Sequence, residues 1–145
     1  MTHTLNELVM GTVPIVVEET RPFWEATLQE ELLVQVCGSC GHIQLPGPCC
    51  GRCLSNDLSW RLASGRGTVF SFTIVRRAIH PSFSQEVPYV VADIELDEGP
   101  VMISNVTDCP VEDVRIGMPV HVWFDEQVED AFHVPLRLPK FRPEV

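Results

Sequence analysis

The stretch "CGSCGHIQLPGPCCGRC", residues 37–53, holds five of the chain's six cysteines. Cys37 and Cys40 form one Cys-x-x-Cys pair, and Cys50 and Cys53 form another. Each pair forms a tight knuckle that turns two sulfurs toward one point. Two knuckles complete a tetrahedral four-sulfur site with Zn–S bonds of about 2.3 Å. Nine residues separate Cys40 from Cys50, a length that suits a short hairpin with one knuckle on each side. Cys49 is the spare; using it in place of Cys50 gives a poorer Cys-x3-Cys knuckle. His42 is a further candidate ligand, placed awkwardly two residues after Cys40. Cys109 stands alone in a turn-like "DCP".

Four thiolates leave no open position on the metal, so such a site activates no water. Zinc brings no redox chemistry, although four sulfurs also suit iron. The ion would contribute folding free energy on the order of 10 kcal/mol and a rigid base for nearby surfaces. Other chemistry is hard to find. The sequence has no glycine-rich phosphate loop and no nucleophile elbow. His3, His42, His80, His121 and His133 are scattered, and the "DE" pairs at 97–98 and 125–126 fall where turns are expected. A thiol enzyme using Cys49 or Cys109 remains an alternative, testable by thiol reactivity.

The elements around the cysteines read as follows. Residues 1–19 form an N-terminal arm in which "VPIVVEE" is a short strand or an extended segment. Thr20 caps a short helix with Pro22 in its first turn. Its aromatics Phe23 and Trp24 serve either as core or as an anchor for a partner. Strands at 32–37 and 57–63 bracket the cysteine knot. From Gly65 the pattern is all β: "GRGTVFSFTIV" with Phe70, Phe72 and Ile74 on one face, then "YVVADIEL" with Val90, Ala92, Ile94 and Leu96 inward. "VMISNVT" and "VHVWF" follow, and "AFHVPLRLP" (131–139) is a fifth strand, on an edge because of Pro135. Five short strands in this space predict a small barrel of the OB type or a small sandwich. The expected fold is mainly β, with arm 1–19, helix and ribbon 20–63, and a barrel with a C-terminal tail 64–145.

The net charge is −10 over 145 residues, which argues against broad binding to a phosphate backbone. The charge is uneven: Gly51–His80 carries Arg52, Arg61, Arg66, Arg76 and Arg77 against Asp57 alone, so this window is +4 and the rest −14. Nine of the ten basic residues are arginine, whose planar fork suits phosphates and carboxylates. One local positive patch for an anionic ligand or an acidic partner is the functional reading, and solvated arginines the plain one. No apolar run approaches the ~20 residues of a membrane span, and the N-terminus lacks the basic start of a secretory signal. A cytoplasmic setting is expected, where clustered cysteines favour metal over disulfides.

The order of parts resembles a known family. A "PFW" helix, "LLVQVCGSCG", a second Cys-x-x-Cys, "GRGTVFSFTIV", "PYVVADIELDEGP" and "IGMPVHVWF" are similar to small proteins with a rubredoxin-like zinc ribbon followed by an OB-fold. The match runs from about residue 20 to residue 125. Members often carry Pro-Pro-Arg between the cysteine pairs; here the stretch is "LPGPCC", so that arginine and its ligand contact are not carried over. The resemblance implies a non-catalytic accessory subunit of a thiolase-fold enzyme that helps form or close its acyl-CoA site. It also implies a structural zinc, a CoA thioester as ligand of the complex, and no activity for the chain alone. A hotdog-fold hydratase as partner, or acyl-CoA binding by the chain alone, is the alternative. A single-stranded nucleic-acid binder is a minor one. Residues placed toward ligand or partner are Phe23, Trp24, Arg61, Arg66, Arg76, Arg77, His80 and Phe83, with neither nucleic acid nor membrane among the partners.

Overall fold

In the computed structural model, which describes residues 13–144, the chain builds a small ribbon sheet and then a closed barrel. Residues 13–17 lead into a 3-10 turn, Glu18–Thr20, and then helix α1, Arg21–Leu28. The arm expected at 1–19 is described only from Val13. The expected threonine cap is not formed. The Thr20 hydroxyl donates to the Val17 carbonyl at 3.2 Å, closing the turn before the helix rather than capping the helix. Proline in the first turn needs no amide partner, so the helix starts there regardless.

The ribbon consists of β1 (Leu33–Cys37), β2 (Ile43–Gln44) and β3 (Leu58–Leu62), in the order β2-β1-β3. All pairings are antiparallel, with Cys37 opposite Leu58. Helix α1 packs on β1, with Phe23 in the core and Thr27 fully buried. The Thr27 hydroxyl accepts the Arg137 amide at 3.0 Å, which ties the helix to the C-terminal part of the chain.

The barrel comprises β4 (Arg66–Val75), β5 (Tyr89–Leu96), β6 (Val101–Val106), β7 (Pro119–Phe124) and β10 (Pro139–Pro143), closed in the order β10-β6-β5-β4-β7. A separate hairpin, β8 (Val128–Glu129) with β9 (Pro135–Leu136), lies between β7 and β10. Alternation in β5 is as the sequence dictates: Val90, Ala92, Ile94 and Leu96 are all buried. Gly67 is required in β4, because a Cβ there would stand 2.6 Å from the Glu95 carbonyl oxygen of the paired strand.

Two expectations are corrected. Phe70 is not on the inner face with Phe72 and Ile74; it is 58% exposed, and Val69 is buried instead. The ladder pairs Val69 with Ile94 and Ser71 with Asp93, so Phe70 is the extra residue of a β-bulge. A bulge bends the strand for closure and reverses parity. Phe72 and Ile74, beyond it, pack on the core as expected. Second, the fifth barrel strand is not 131–139 but Pro139–Pro143, which the sequence left in the tail. It runs antiparallel to β7 and meets β6 in parallel at the single pair Phe141–Val106. Its prolines occupy the first and last positions, where a missing amide donor costs least.

A buried acid fixes the entry to this architecture. Asp130 is buried, and its carboxylate accepts the amides of Val16 (3.0 Å), Phe132 (2.8 Å) and Val134 (2.9 Å). Burial pushes its pKa up, but the three amides together with His133 outweigh this and leave it below the ordinary value of 3.8. A carboxyl depressed on folding stabilises fully above its unfolded pKa and loses that contribution as pH falls through the folded value. Asp130→Asn keeps one acceptor oxygen and loses the one that holds Val16. At neutral pH we expect a fall in melting temperature on the order of 5 °C. The gap from wild type should begin to narrow below about pH 4 and close as the pH falls through the depressed folded value, where both carry a neutral group. Parallel thermal melts at pH 7 and pH 3 check this; a gap that widens in acid would contradict it.

Candidate metal centre and docking residues

The two Cys-x-x-Cys knuckles are built alike. Cys37 lies at the end of β1, and the Gly41 amide donates to its carbonyl at 2.9 Å. In the second knuckle the Leu54 amide donates to the Cys50 carbonyl at 2.9 Å. The residue after each pair takes a left-handed backbone, φ 78° at Gly41 and φ 65° at Leu54. Glycine adopts this region without cost; leucine does not, yet the 74% exposed Leu54 holds it because the same hydrogen-bonded turn recurs.

The knuckles bring Cys37, Cys40, Cys50 and Cys53 together, with all four sulfurs within 4.8 Å of one another. Cys37 Sγ lies 3.6 Å from Cys53 Sγ, and Cys40 Sγ 3.7 Å from Cys50 Sγ. A tetrahedron with 2.3 Å bonds to its centre has edges of about 3.8 Å, so the cage fits a zinc-sized ion. Cys49 and His42 stand outside the quartet, which removes the alternative registers. The electrostatics agree. The Cys40 amide aimed at its sulfur holds the Cys37 thiol down to about 6, and the Cys53 amide lowers Cys50 likewise. The Ser55 amide favours a thiolate at Cys53, but its sulfur neighbours, Cys37 foremost, push it up to about 12. Thiols this close share protons, and all four ionise together only around a cation.

Two glutamines that sequence reasoning missed brace the loop between the knuckles. Gln35 is buried in β1, and its Oε1 accepts Gln44 Nε2 (3.2 Å) and the Gly47 amide (2.9 Å). Gln44 donates to the Cys49 carbonyl at 3.0 Å and accepts the Gly51 amide at 2.8 Å, so it brackets Cys50 on both sides. The available signal was a polar residue inside an otherwise apolar strand, two positions before the first ligand.

The expected docking residues scatter. Phe23 is a core residue, 7% exposed, set edge-on to Trp24 with ring centres 4.9 Å apart. It offers no docking surface; Trp24 is half-buried beside it. Arg61 is exposed on β3 and Arg66 at the start of β4. Arg76 and Arg77 are exposed just beyond the other end of β4, about 30 Å away at 3.3 Å per residue. The arginines therefore do not form one patch, and Arg76 pairs with Glu112 at 3.8 Å. His80 and Phe83 sit in the 76–88 loop, half-buried, with the Phe83 and Tyr89 rings 5.9 Å apart. Cys109 is half-buried, and burial together with Asp113 and Asp108 pushes its thiol pKa up, the opposite of an activated nucleophile. No helix among the described residues is long and apolar enough to cross a membrane.

A four-cysteine ribbon leading into a five-strand barrel defines the class of zinc ribbon–OB-fold proteins. The rubredoxin-like zinc ribbon domain of ChsH2 matches residues 24–59, and the C-terminal OB-fold domain of ChsH2 matches residues 60–125. The chain is 34% identical over 111 residues to a DUF35 domain-containing scaffold protein of Methanocaldococcus jannaschii, covering 74% of this chain and 78% of that protein. The chain belongs to the DUF35 family. It is also 40% identical over 126 residues to a probable enoyl-CoA hydratase alpha subunit of Thermomonospora curvata. That match covers 85% of this chain but spans only 37% of the relative's length. Among solved structures, a chain of the Ltp2-ChsH2(DUF35) aldolase superimposes with a TM-score of 0.77 at 35% identity, covering 92% of this chain and all of that one.

Proposed function

We propose that this chain is a non-catalytic accessory subunit of a thiolase-fold enzyme acting on acyl-CoA, with one structural zinc held by Cys37, Cys40, Cys50 and Cys53. One observation carries the reading. The chain matches the whole of the DUF35 chain of an aldolase complex, while its sulfur cage has room for four ligands and no reactant. A bound zinc would supply rigidity and no open coordination position. The residues of this chain supply the rest: Gln35 and Gln44 hold the knuckles, and the barrel presents surface to the partner. In this reading the loop 76–88, with Arg76, Arg77, His80 and Phe83, faces the CoA thioester or the partner's site. Arg61 and Arg66 serve a separate contact at the far end of β4. The cage of free thiols suits a reducing compartment such as the cytoplasm.

Nucleic acid fits poorly. OB folds bind oligonucleotides on the faces of their second and third strands, here β5 and β6. Outward on these strands stand Tyr89, Val91, Asp93 and Glu95 of β5 and Val101 and Ile103 of β6. Asp93 and Glu95 repel phosphates, and the Tyr89 ring at the start of β5 stands against Phe83, 5.9 Å between centres. A hydratase partner is the second reading, favoured by the 40% identity to the hydratase subunit.

The test is co-expression of the tagged chain with thiolase-fold and hotdog-fold subunits, followed by assay of acyl-CoA carbon–carbon bond cleavage and of hydration. We expect a stoichiometric complex with the thiolase-fold protein, turnover only in the complex, and none from the chain alone. Turnover of a thioester by the isolated chain, or binding to neither kind of subunit, overturns the proposal. Selective assembly with the hotdog-fold subunit establishes the second reading.

A further inference from the structure

The barrel closes unevenly. Strand β6 pairs with β5 along its whole length, from Val101 opposite Glu95 to Val106 opposite Val90. On its other side its only ladder pair with β10 is at Val106, and the Ser104 hydroxyl donates to the Pro139 carbonyl, where β10 begins, at 2.9 Å. The Thr107 amide donates to the Phe141 carbonyl at 2.8 Å, and the Pro100 carbonyl accepts from Leu96 at 2.8 Å. Backbone groups alternate sides along a strand, so the amides and carbonyls of Val101 and Ile103 point away from β5, to the side that β10 does not reach. Sheet edges are commonly blunted by lysine, proline or a bulge. Val101–Ile103 carries none of these, and its outward side chains are apolar, with Val101 43% and Ile103 73% exposed.

The surroundings of this edge are acidic. Asp93 lies opposite Ile103 and Glu95 opposite Val101. A cleft of about 550 Å³ opens beside Val101, walled on the far side by the ribbon hairpin with His42 and Arg52. Glu98 lines it; its Oε2 accepts the Ser64 amide at 2.8 Å, while its Oε1 is shielded from solvent and has no donor among the described residues. Three carboxylates disfavour pairing of this edge with a second copy of so acidic a chain, and favour a cationic visitor.

We infer that the open edge of β6 at Val101–Ile103 is a strand-addition site for an extended, basic segment of the partner subunit. Backbone hydrogen bonds at Val101 and Ile103 give the affinity, and Asp93, Glu95 and Glu98 select positive side chains. This deepens the accessory-subunit reading and rests on it. The test compares amide hydrogen exchange of the free chain and of the complex with the thiolase-fold subunit, resolved at residues 100–106. We expect the Val101 and Ile103 amides to exchange rapidly in the free chain and at least tenfold more slowly in the complex. Ile103→Lys, a change at an exposed position, should weaken the complex at least tenfold while melting temperature and zinc content stay at wild-type values. A complex without protection at these amides, unchanged affinity of Ile103→Lys, or protection already present in the free chain overturns the edge assignment. Failure to form any complex overturns the accessory-subunit reading instead.

Discussion

Replacing Cys50 with serine is expected to abolish stoichiometric zinc binding, whereas replacing the adjacent Cys49 leaves one zinc per chain. The two residues are neighbours in sequence, but only Cys50 places its sulfur in the cage, 3.7 Å from Cys40 Sγ. Cys50 is buried and receives the Arg52 and Cys53 amides at its sulfur, at 3.4 and 3.5 Å. Serine offers a harder, weakly acidic oxygen that does not bind zinc as a thiolate does. Losing one ligand of a closed structural site removes much of the binding free energy, and that free energy is folding free energy. The ribbon should then lose its order while the barrel persists, since Val69, Val90, Ile94 and Phe141 build its core without the cysteines. Metal analysis of purified wild type, Cys49→Ser and Cys50→Ser, with near-ultraviolet circular dichroism on each, checks both halves. Full zinc in Cys50→Ser, or its loss in Cys49→Ser, would disprove the quartet.

Phe141→Ala should cost about 3–5 kcal/mol of unfolding free energy, a large part of the 5–15 kcal/mol typical of a domain. Phe141 is fully buried, and its backbone bridges the last gap of the barrel, opposite Val122 on β7 and Val106 on β6. The backbone contact survives the substitution, because the Thr107 amide still finds the Phe141 carbonyl. What is lost is apolar area and packing, and the cavity left behind opens where three strands meet. Phe141→Leu, which refills most of the volume, should recover more than half of the loss. Urea titrations of the three proteins measure this as a shift in midpoint at constant slope. Zinc content should be unchanged, because the ribbon lies elsewhere. A cost below about 1 kcal/mol would show that β10 is not a structural strand.

Parts of the fold were legible because their signals are local. Strand β5 reads straight from alternation, since each inward position lies two residues from the next and the bulge of its ladder with β4 falls on β4. The knuckle spacing is likewise local, four residues per pair. The parity of β4 was not legible, because the bulge at Phe70 is demanded by closure of the sheet and leaves no mark in composition. Nor was β10: "PKFRP" carries two prolines and one large apolar residue, which reads as tail until β6 and β7 present edges for it to fill.

By itself the sequence determined the class of the protein, a four-thiolate ribbon ahead of a small β barrel, because sulfur spacing and strand alternation act within a few residues. Tertiary structure decided the rest. It chose Cys50 over Cys49, buried Phe23, separated Arg66 from Arg76, and set the Asp130 carboxylate on the Val16 amide 114 positions away. Each of these depends on which distant backbone comes within hydrogen-bonding or packing distance, and that is fixed only when the barrel closes.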